Sequence, residues 1–327
     1  MPARHLPRLA LMLGLLLAAA WPGPAGAQAW PERPVTIIVP FGAGNGADLI
    51  TRLLAPRLTQ AWGEPVVVQN LPGASGAIGV ERTVRSAPDG HTLVMSGDAA
   101  LVVRTSMVPP LPYDPRRDLA PVTLVARTPN LLVVPAQGGP HSLAELVAAA
   151  RAAGGGFSYG HLGPGTSVQV GAELLKQMAG VEATGVGYPS IGALMQDVVA
   201  GRLQLAFATA VAAAPLVQEG RLRALAISSA ARLASFPQVP TVAEQGYPGF
   251  EASAWFGLLA PAATPAPVVA RIRADVTAAL GEAELRGRLD ALGAVLVGNT
   301  PAEFAALINA EIPRMAGVLQ KAGITGQ

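Results

Sequence analysis

Val35-Thr36-Ile37-Ile38-Val39-Pro40-Phe41-Gly42-Ala43-Gly44-Asn45-Gly46-Ala47-Asp48 reads as a buried strand, a Gly-rich turn and a helix start. The β-branched run Val35–Val39 has strand length. Pro40 cannot donate to a ladder and marks its end. Three glycines in five residues let the backbone turn sharply and approach another group closely. Asp48 precedes the apolar series Leu49, Ile50, Leu53, Leu54 and Leu58 and is the expected N-cap. Pro56 is expected to kink or shorten that helix. Such a turn aims backbone N–H groups at one spot in the field of a helix N-terminus, which suits an anion. A tight connection without a ligand is the plainer alternative.

The same unit recurs downstream. Pro65–Asn70 reads as a second buried strand, followed by the Gly-rich turn Pro72–Gly79 and a helix from Ile78 to Arg85. His91–Met95 is a third strand. Ser142-Leu143-Ala144-Glu145 is a capping box opening a helix. Phe157–Gly160 is a short strand, and His161-Leu162-Gly163-Pro164-Gly165-Thr166-Ser167 a third Gly-rich turn. Val168, Ala172, Leu175 and Ala179 then lie on one helical face. Further helices (190–200, 212–219) alternate with strands (204–208, 222–228). Thr241–Glu244 and Thr300–Glu303 are two more capping boxes, and Phe250–Leu259 returns to a strand. Repeated strand, Gly turn and helix argue for an α/β fold with parallel sheets. The apolar runs change character near Arg127–Asn130 and near Ser253–Phe256, where the chain is expected to cross between two domains.

Residues 1–27 carry Arg4 and Arg8, an apolar run and Ala25-Gly26-Ala27, the pattern of an export signal cleaved after Ala27. Their removal brings the formal charge from +2 to 0. No polybasic patch for nucleic acid remains. The chain has no cysteine, so neither disulfides nor thiol chemistry enter.

Two enzymatic readings fail on residues. Gly42-x-Gly44 with Ala47 approaches a dinucleotide fingerprint, but the second strand ends in Gln69-Asn70 where a ribose-binding acid belongs. Gly73-Ala74-Ser75-Gly76-Ala77 misses the last glycine of a nucleophile elbow. His91 and His141 read as surface residues. His161, in the third turn, has no ligating partner at metal spacing. What remains is three Gly-rich turns at the C-terminal ends of parallel strands, where ligands of such sheets bind. They contain no Arg or Lys, so an anion there would be held by N–H groups, Ser75, Thr166 and Ser167.

The ordered motifs resemble one family. They are Val39-Pro40-Phe41 with its Gly turn and Asp48, Asn70-x-Pro72-Gly73-Ala74-x-Gly76-x-Ile78-Gly79, and Ala87–Leu93. Leu111–Pro115, Gly163-x-Gly165-Thr166-Ser167, Gly220–Ala226, Val239–Glu244 and Trp255–Leu258 follow in order. The chain resembles the substrate-binding proteins of tripartite tricarboxylate transporters, the Bug family. The resemblance implies a two-domain periplasmic-binding-protein (Venus-flytrap, type II-like) fold with two inter-domain crossovers. The domains would be 28–127 plus 256–327, and 128–255. It further implies a periplasmic monomer without catalysis or cofactor, a carboxylate ligand and delivery to a two-component membrane permease.

The expected ligand-binding residues are Phe41, Gly44, Asn45, Gly46 and Asp48 in the first turn, and Ala74, Ser75 and Gly76 in the second. Ser96 and Asp98 follow the third strand. His161, Gly163, Gly165, Thr166 and Ser167 belong to the third turn, with Tyr188, Thr209 and Trp255 beyond it. The family pattern has an acid and Asn where Ala208 and Thr209 stand, and Pro-Tyr-Lys-Gly where Gly187-Tyr188-Pro189-Ser190 stand. The missing acid disfavours an ammonium-bearing ligand. An exported sensor working with a regulatory partner is the alternative role, and an exported enzyme the more distant one.

Overall fold

The computed structural model describes residues 30–321; the expected export signal lies outside them. Two mixed sheets form, each covered by helices on both faces. In the first sheet, β1 (Val35–Val39) pairs in parallel with β2 (Val66–Asn70) and β3 (Thr92–Gly97). The chain then runs through the short helix α3 (Asp98–Leu101) and β4 (Leu119–Thr128) into β5 (Asn130–Pro135), which belongs to the second sheet. There β6 (Ser158–His161) lies parallel to β7 (Thr184–Gly187) and β8 (Leu205–Thr209), and β9 (Leu222–Ile227) flanks β5. β10 (Ala254–Pro261) returns to the first sheet, and β11 (Val295–Leu296) closes its edge.

The sheet orders are β11-β4-β10-β3-β1-β2 and β7-β6-β8-β5-β9. In each, the strand arriving from the other sheet inserts antiparallel: β10 against β3 and β4, β5 against β8 and β9. The sheets are therefore mixed rather than parallel. Alternate side chains serve opposite faces, as the strand period requires. Val35, Ile37 and Val39 meet α1 (Gly46–Trp62), α8 (Ala266–Gly281) and α9 (Ala283–Ala291), while Ile38 faces α2 (Ala77–Val84) and α10 (Pro301–Lys321). In the second sheet Leu132 and Val134 face α4 (Leu143–Ala152) and α5 (Ser167–Ala179). Leu131 and Val133 face α6 (Ile191–Val199) and α7 (Ala210–Gln218).

Several local expectations change. Asn45, not Asp48, is the N-cap of α1: its side chain accepts from the Asp48 N–H at 2.9 Å. α1 continues through Pro56, whose ring is exposed while Leu54, Ala55 and Leu58 anchor the helix on its buried side. β2 is a half-exposed edge strand with Val67 49% exposed. His91 is buried against Trp30 and accepts the Glu32 N–H. The Thr241–Glu244 capping box forms but opens only a single 3-10 turn, Ala243–Gln245. The short strands β7 and β11 carried no apolar run to announce them.

The two crossovers are stitched together. Asn130 N–H donates to Ser228 Oγ at 2.8 Å, and the Asn130 amide donates to the Ala252 carbonyl, which also accepts from Ser228 Oγ. A buried backbone at this bend needs such partners. Packing in the first sheet is equally tight. A Cβ on Gly257 would lie 2.2 Å from the Phe304 ring and 3.0 Å from the Thr123 carbonyl. Gly257→Ala should cost about 1–3 kcal/mol in chemical denaturation, through overpacking; an unchanged midpoint would show that α10 yields freely.

Candidate functional site

The C-terminal ends of β1, β2, β6 and β7 converge on one cleft between the sheets. Its volume is about 760 Å³. The turn after β1 contributes Phe41, Gly42 and Asn45; the turn after β2 contributes Pro72 to Gly76. The end of β6 and its turn supply His161 to Pro164, and the end of β7 and its turn supply Gly187 to Ile191. An inner recess of about 40 Å³ continues past Phe41, Asn45, Leu162 and Ile191. Gly46, Asp98, Thr166, Ser167 and Thr209 line it.

Helix starts surround that recess. The caps of α5 (Thr166) and α7 (Thr209) have no side-chain hydrogen bond to the first turn. The first N–H groups of both helices therefore lack intrahelical partners and present positive dipole ends, the Ala210 N–H of α7 alone being taken, by the Pro129 carbonyl at 2.8 Å. α1 and α6 are capped by Asn45 and Ser190. In the second turn four successive residues, Gly73 to Gly76, have positive φ, including Ala74 at 48° and Ser75 at 53°. Non-glycine residues in that region store strain, and such strain gathers at ligand-facing loops.

Thirteen of the eighteen expected positions meet at this cleft and recess: Phe41, Asn45, Gly46, Ala74, Ser75, Gly76, Asp98, His161, Gly163, Thr166, Ser167, Tyr188 and Thr209. Five do not line either space. Asp48 lies behind the first turn, bonded to the Gly44 N–H, Arg52 and Asn70. Burial works against its charge, but these bonds outweigh it and hold the carboxyl below its usual value. The Gly44 N–H is thereby already used. Ser96 is buried within β3, and Trp255 packs edge-on against Phe304. The Gly165 N–H donates to Gln169, and its Cα faces Val103 and Met107.

The hydroxyls are partly committed as well. Ser75 Oγ donates across the cleft to the Pro164 carbonyl at 2.8 Å, and Thr166 Oγ1 to the Gly163 carbonyl at 2.9 Å. Tyr188 donates to Asp197 at 2.6 Å. His161 Nδ1 accepts the Gly163 N–H, and burial pushes its pKa down, which favours the neutral ring. Asp98 is 4% exposed, with one carboxyl oxygen unpartnered. Desolvation pushes its pKa up to about 7, partly offset by the N–H groups of Trp255 and Ala99.

Sequence reading missed Arg104, Met107 and Pro109, which form one wall of the cleft. Arg104 sits in the 3-10 turn Val103–Ser106, directly after the buried apolar run Ala99–Val103, and in the sequence its charge reads as the end of that run. Among the described residues no group of three or more His, Cys, Asp or Glu converges to hold a metal, and no helix is long and apolar enough to cross a membrane.

Two α/β lobes, exchanging one strand each and enclosing a cleft rimmed by helix starts, define a two-domain periplasmic-binding-protein fold. Residues 50–324 match the family described as tripartite tricarboxylate transporter family receptor (TctC), and the chain belongs to it. It is 35% identical over 321 residues to protein BugT of Bordetella pertussis, covering 98% of both chains. An R. palustris protein solved with adipate is 34% identical with a TM-score of 0.88, over 91% of this chain and 100% of that one. MatC of Rhodopseudomonas palustris, solved with malate, is 33% identical with a TM-score of 0.83, over 89% and 100%. Solute binding is the function this family and these structures share.

Proposed function

We propose that this protein captures a small carboxylate between its two lobes and delivers it to a two-component membrane permease. The observation that carries the reading is the recess where the uncapped starts of α5 and α7 meet. Backbone donors at helix N-termini hold a carboxylate without a charged side chain. Relatives solved with adipate and malate support the ligand class. The lobes are residues 28–127 with 256–327, and 128–255, and they hinge near Arg127–Asn130 and near Ser253–Phe256. The protein acts as a periplasmic monomer, without catalysis, after cleavage at Ala27. Phe41, Asn45, Ser167 and Thr209, which line the recess, are the proposed contacts.

The test is a thermal-shift and calorimetric screen of small mono- and dicarboxylates, each beside its amide. A ligand at 100 times its Kd should add about 2.7 kcal/mol of stability. The acid should bind and the amide should not, because neutral donors at helix starts favour full negative charge. If no carboxylate stabilises the protein, or amides bind as well as acids, the reading fails. Failure of bound protein to contract in small-angle scattering would remove the hinge.

A further inference from the structure

Arg104 is 8% exposed, yet it borders the cleft. Nη2 donates to the Pro109 carbonyl at 3.0 Å, while Nε has no partner. Among the described residues it forms no ion pair. Arg223 shows what a purely structural arginine looks like in this chain. Its guanidinium is satisfied by three carbonyls, those of Gly139, Pro140 and Ala136. Arg104 keeps most of its five N–H donors uncommitted. A buried cation without a counter-ion is costly, so its retention at a cavity wall points to an anion that arrives from outside.

The position of Arg104 defines which part of a ligand it meets. It does not line the inner recess; it stands with Met107 and Pro109 in the outer part of the cleft. Between the two poles lie Phe41 and Leu162, which border both spaces and suit an apolar spacer. Resting on the carboxylate reading above, we propose that Arg104 is the specificity-determining residue for a second, distal carboxylate, so that the ligand is a dicarboxylate with an apolar spacer. The planar guanidinium fork suits a carboxylate in two-point contact, which an ammonium group does not reproduce.

The experiment uses the straight-chain α,ω-diacids from succinate to suberate, each with its monomethyl ester and the monoacid of equal length. Calorimetry is run on the wild type, Arg104→Gln and Arg104→Lys, with circular dichroism melts to confirm folding. The wild type should bind its tightest diacid about tenfold or more better than the matching ester. Arg104→Gln should bring the diacid down to the ester's affinity and leave ester and monoacid within about threefold. Arg104→Lys should fall between. The proposal is overturned if the wild type does not prefer diacids, if Arg104→Gln keeps that preference, or if all three ligand types weaken equally, which would mark a structural role at Pro109. Absence of any carboxylate binding by the wild type would instead remove the carboxylate reading itself.

Discussion

Gly165→Val is expected to lower affinity for the bound carboxylate at least about a hundredfold while leaving a folded protein. Gly165 has φ of +74° on the turn between β6 and α5. A Cβ there would stand 2.3 Å from Val103 Cγ1 and 3.0 Å from Met107 Sδ. Both neighbours belong to the opposite lobe, on the wall that carries Arg104. Under the hinge proposed above, the clash would exist only with the lobes together, and opening would relieve it. Next to it, Ser75 Oγ donates to the Pro164 carbonyl, a second contact between the lobes. A β-branched residue at positive φ also strains the loop in either arrangement. Gly180→Val supplies the comparison. Gly180 has φ of +60° at the end of α5, with nothing within 4 Å of a built Cβ. Both variants should lose stability; only Gly165→Val should lose binding and show an unligated radius of gyration under saturating carboxylate. Equal binding by the two would mean that lobe contact at Gly165 does not govern capture.

Asp98→Asn should stabilise the protein at pH 8, and the gain should shrink continuously as the pH falls towards 4. Burial holds the Asp98 carboxyl at about 7, against 3.8 in an unstructured chain. Between those values the folded protein keeps a proton that the unfolded chain has released. Stability from this group is thus highest at low pH and is lost as the pH rises through 7. At 1.36 kcal/mol per unit, the full span is on the order of 4 kcal/mol at most. The charged groups nearest it on α10 are Glu311, which raises it further, and Arg314, whose own charge Asp98 favours. Other carboxylates titrate in the same range, so the difference between variant and wild type is the quantity to follow. A difference that stays constant from pH 5 to pH 8 would show that Asp98 is ionised throughout.

Asp98 is also expected to link pH to ligand binding. An ionised Asp98 beside the recess repels a carboxylate, so wild-type affinity for a diacid should fall above pH 7 while that of Asp98→Asn stays level. An ammonium-bearing ligand would show the opposite slope. Ala208 leaves no acid at the family position, and Asp98 is the buried acid that the recess does contain.

Local chemistry made much of this legible. The capping boxes at Ser142–Glu145 and Thr300–Glu303 close as their spacing requires, with Glu145 N–H on Ser142 Oγ and Glu303 N–H on Thr300 Oγ1. The Gly-rich turns follow parallel strands, and most of their residues reach the cleft, because a strand-to-helix turn can point only outward from the strand's end. The resemblance in motifs supplied the family, and residues 50–324 match it.

Sequence by itself thus determined most of the strand, turn and helix units and the caps at Ser142 and Thr300, since each rests on neighbours within a few residues, and the family, through motifs kept in order along the chain. Tertiary structure alone decided the rest. β10 and β5 enter antiparallel because each arrives from the other lobe, a fact of topology that no local pattern encodes. Donors expected for the ligand found protein partners instead: Gly44 took Asp48, and Ser75 took Pro164 from across the cleft. Arg104, in an unremarkable turn, became a buried cation at the cleft wall because residues far away in sequence close over it. Burial and pairing are properties of the assembled surroundings, and only the folded chain brings those surroundings together.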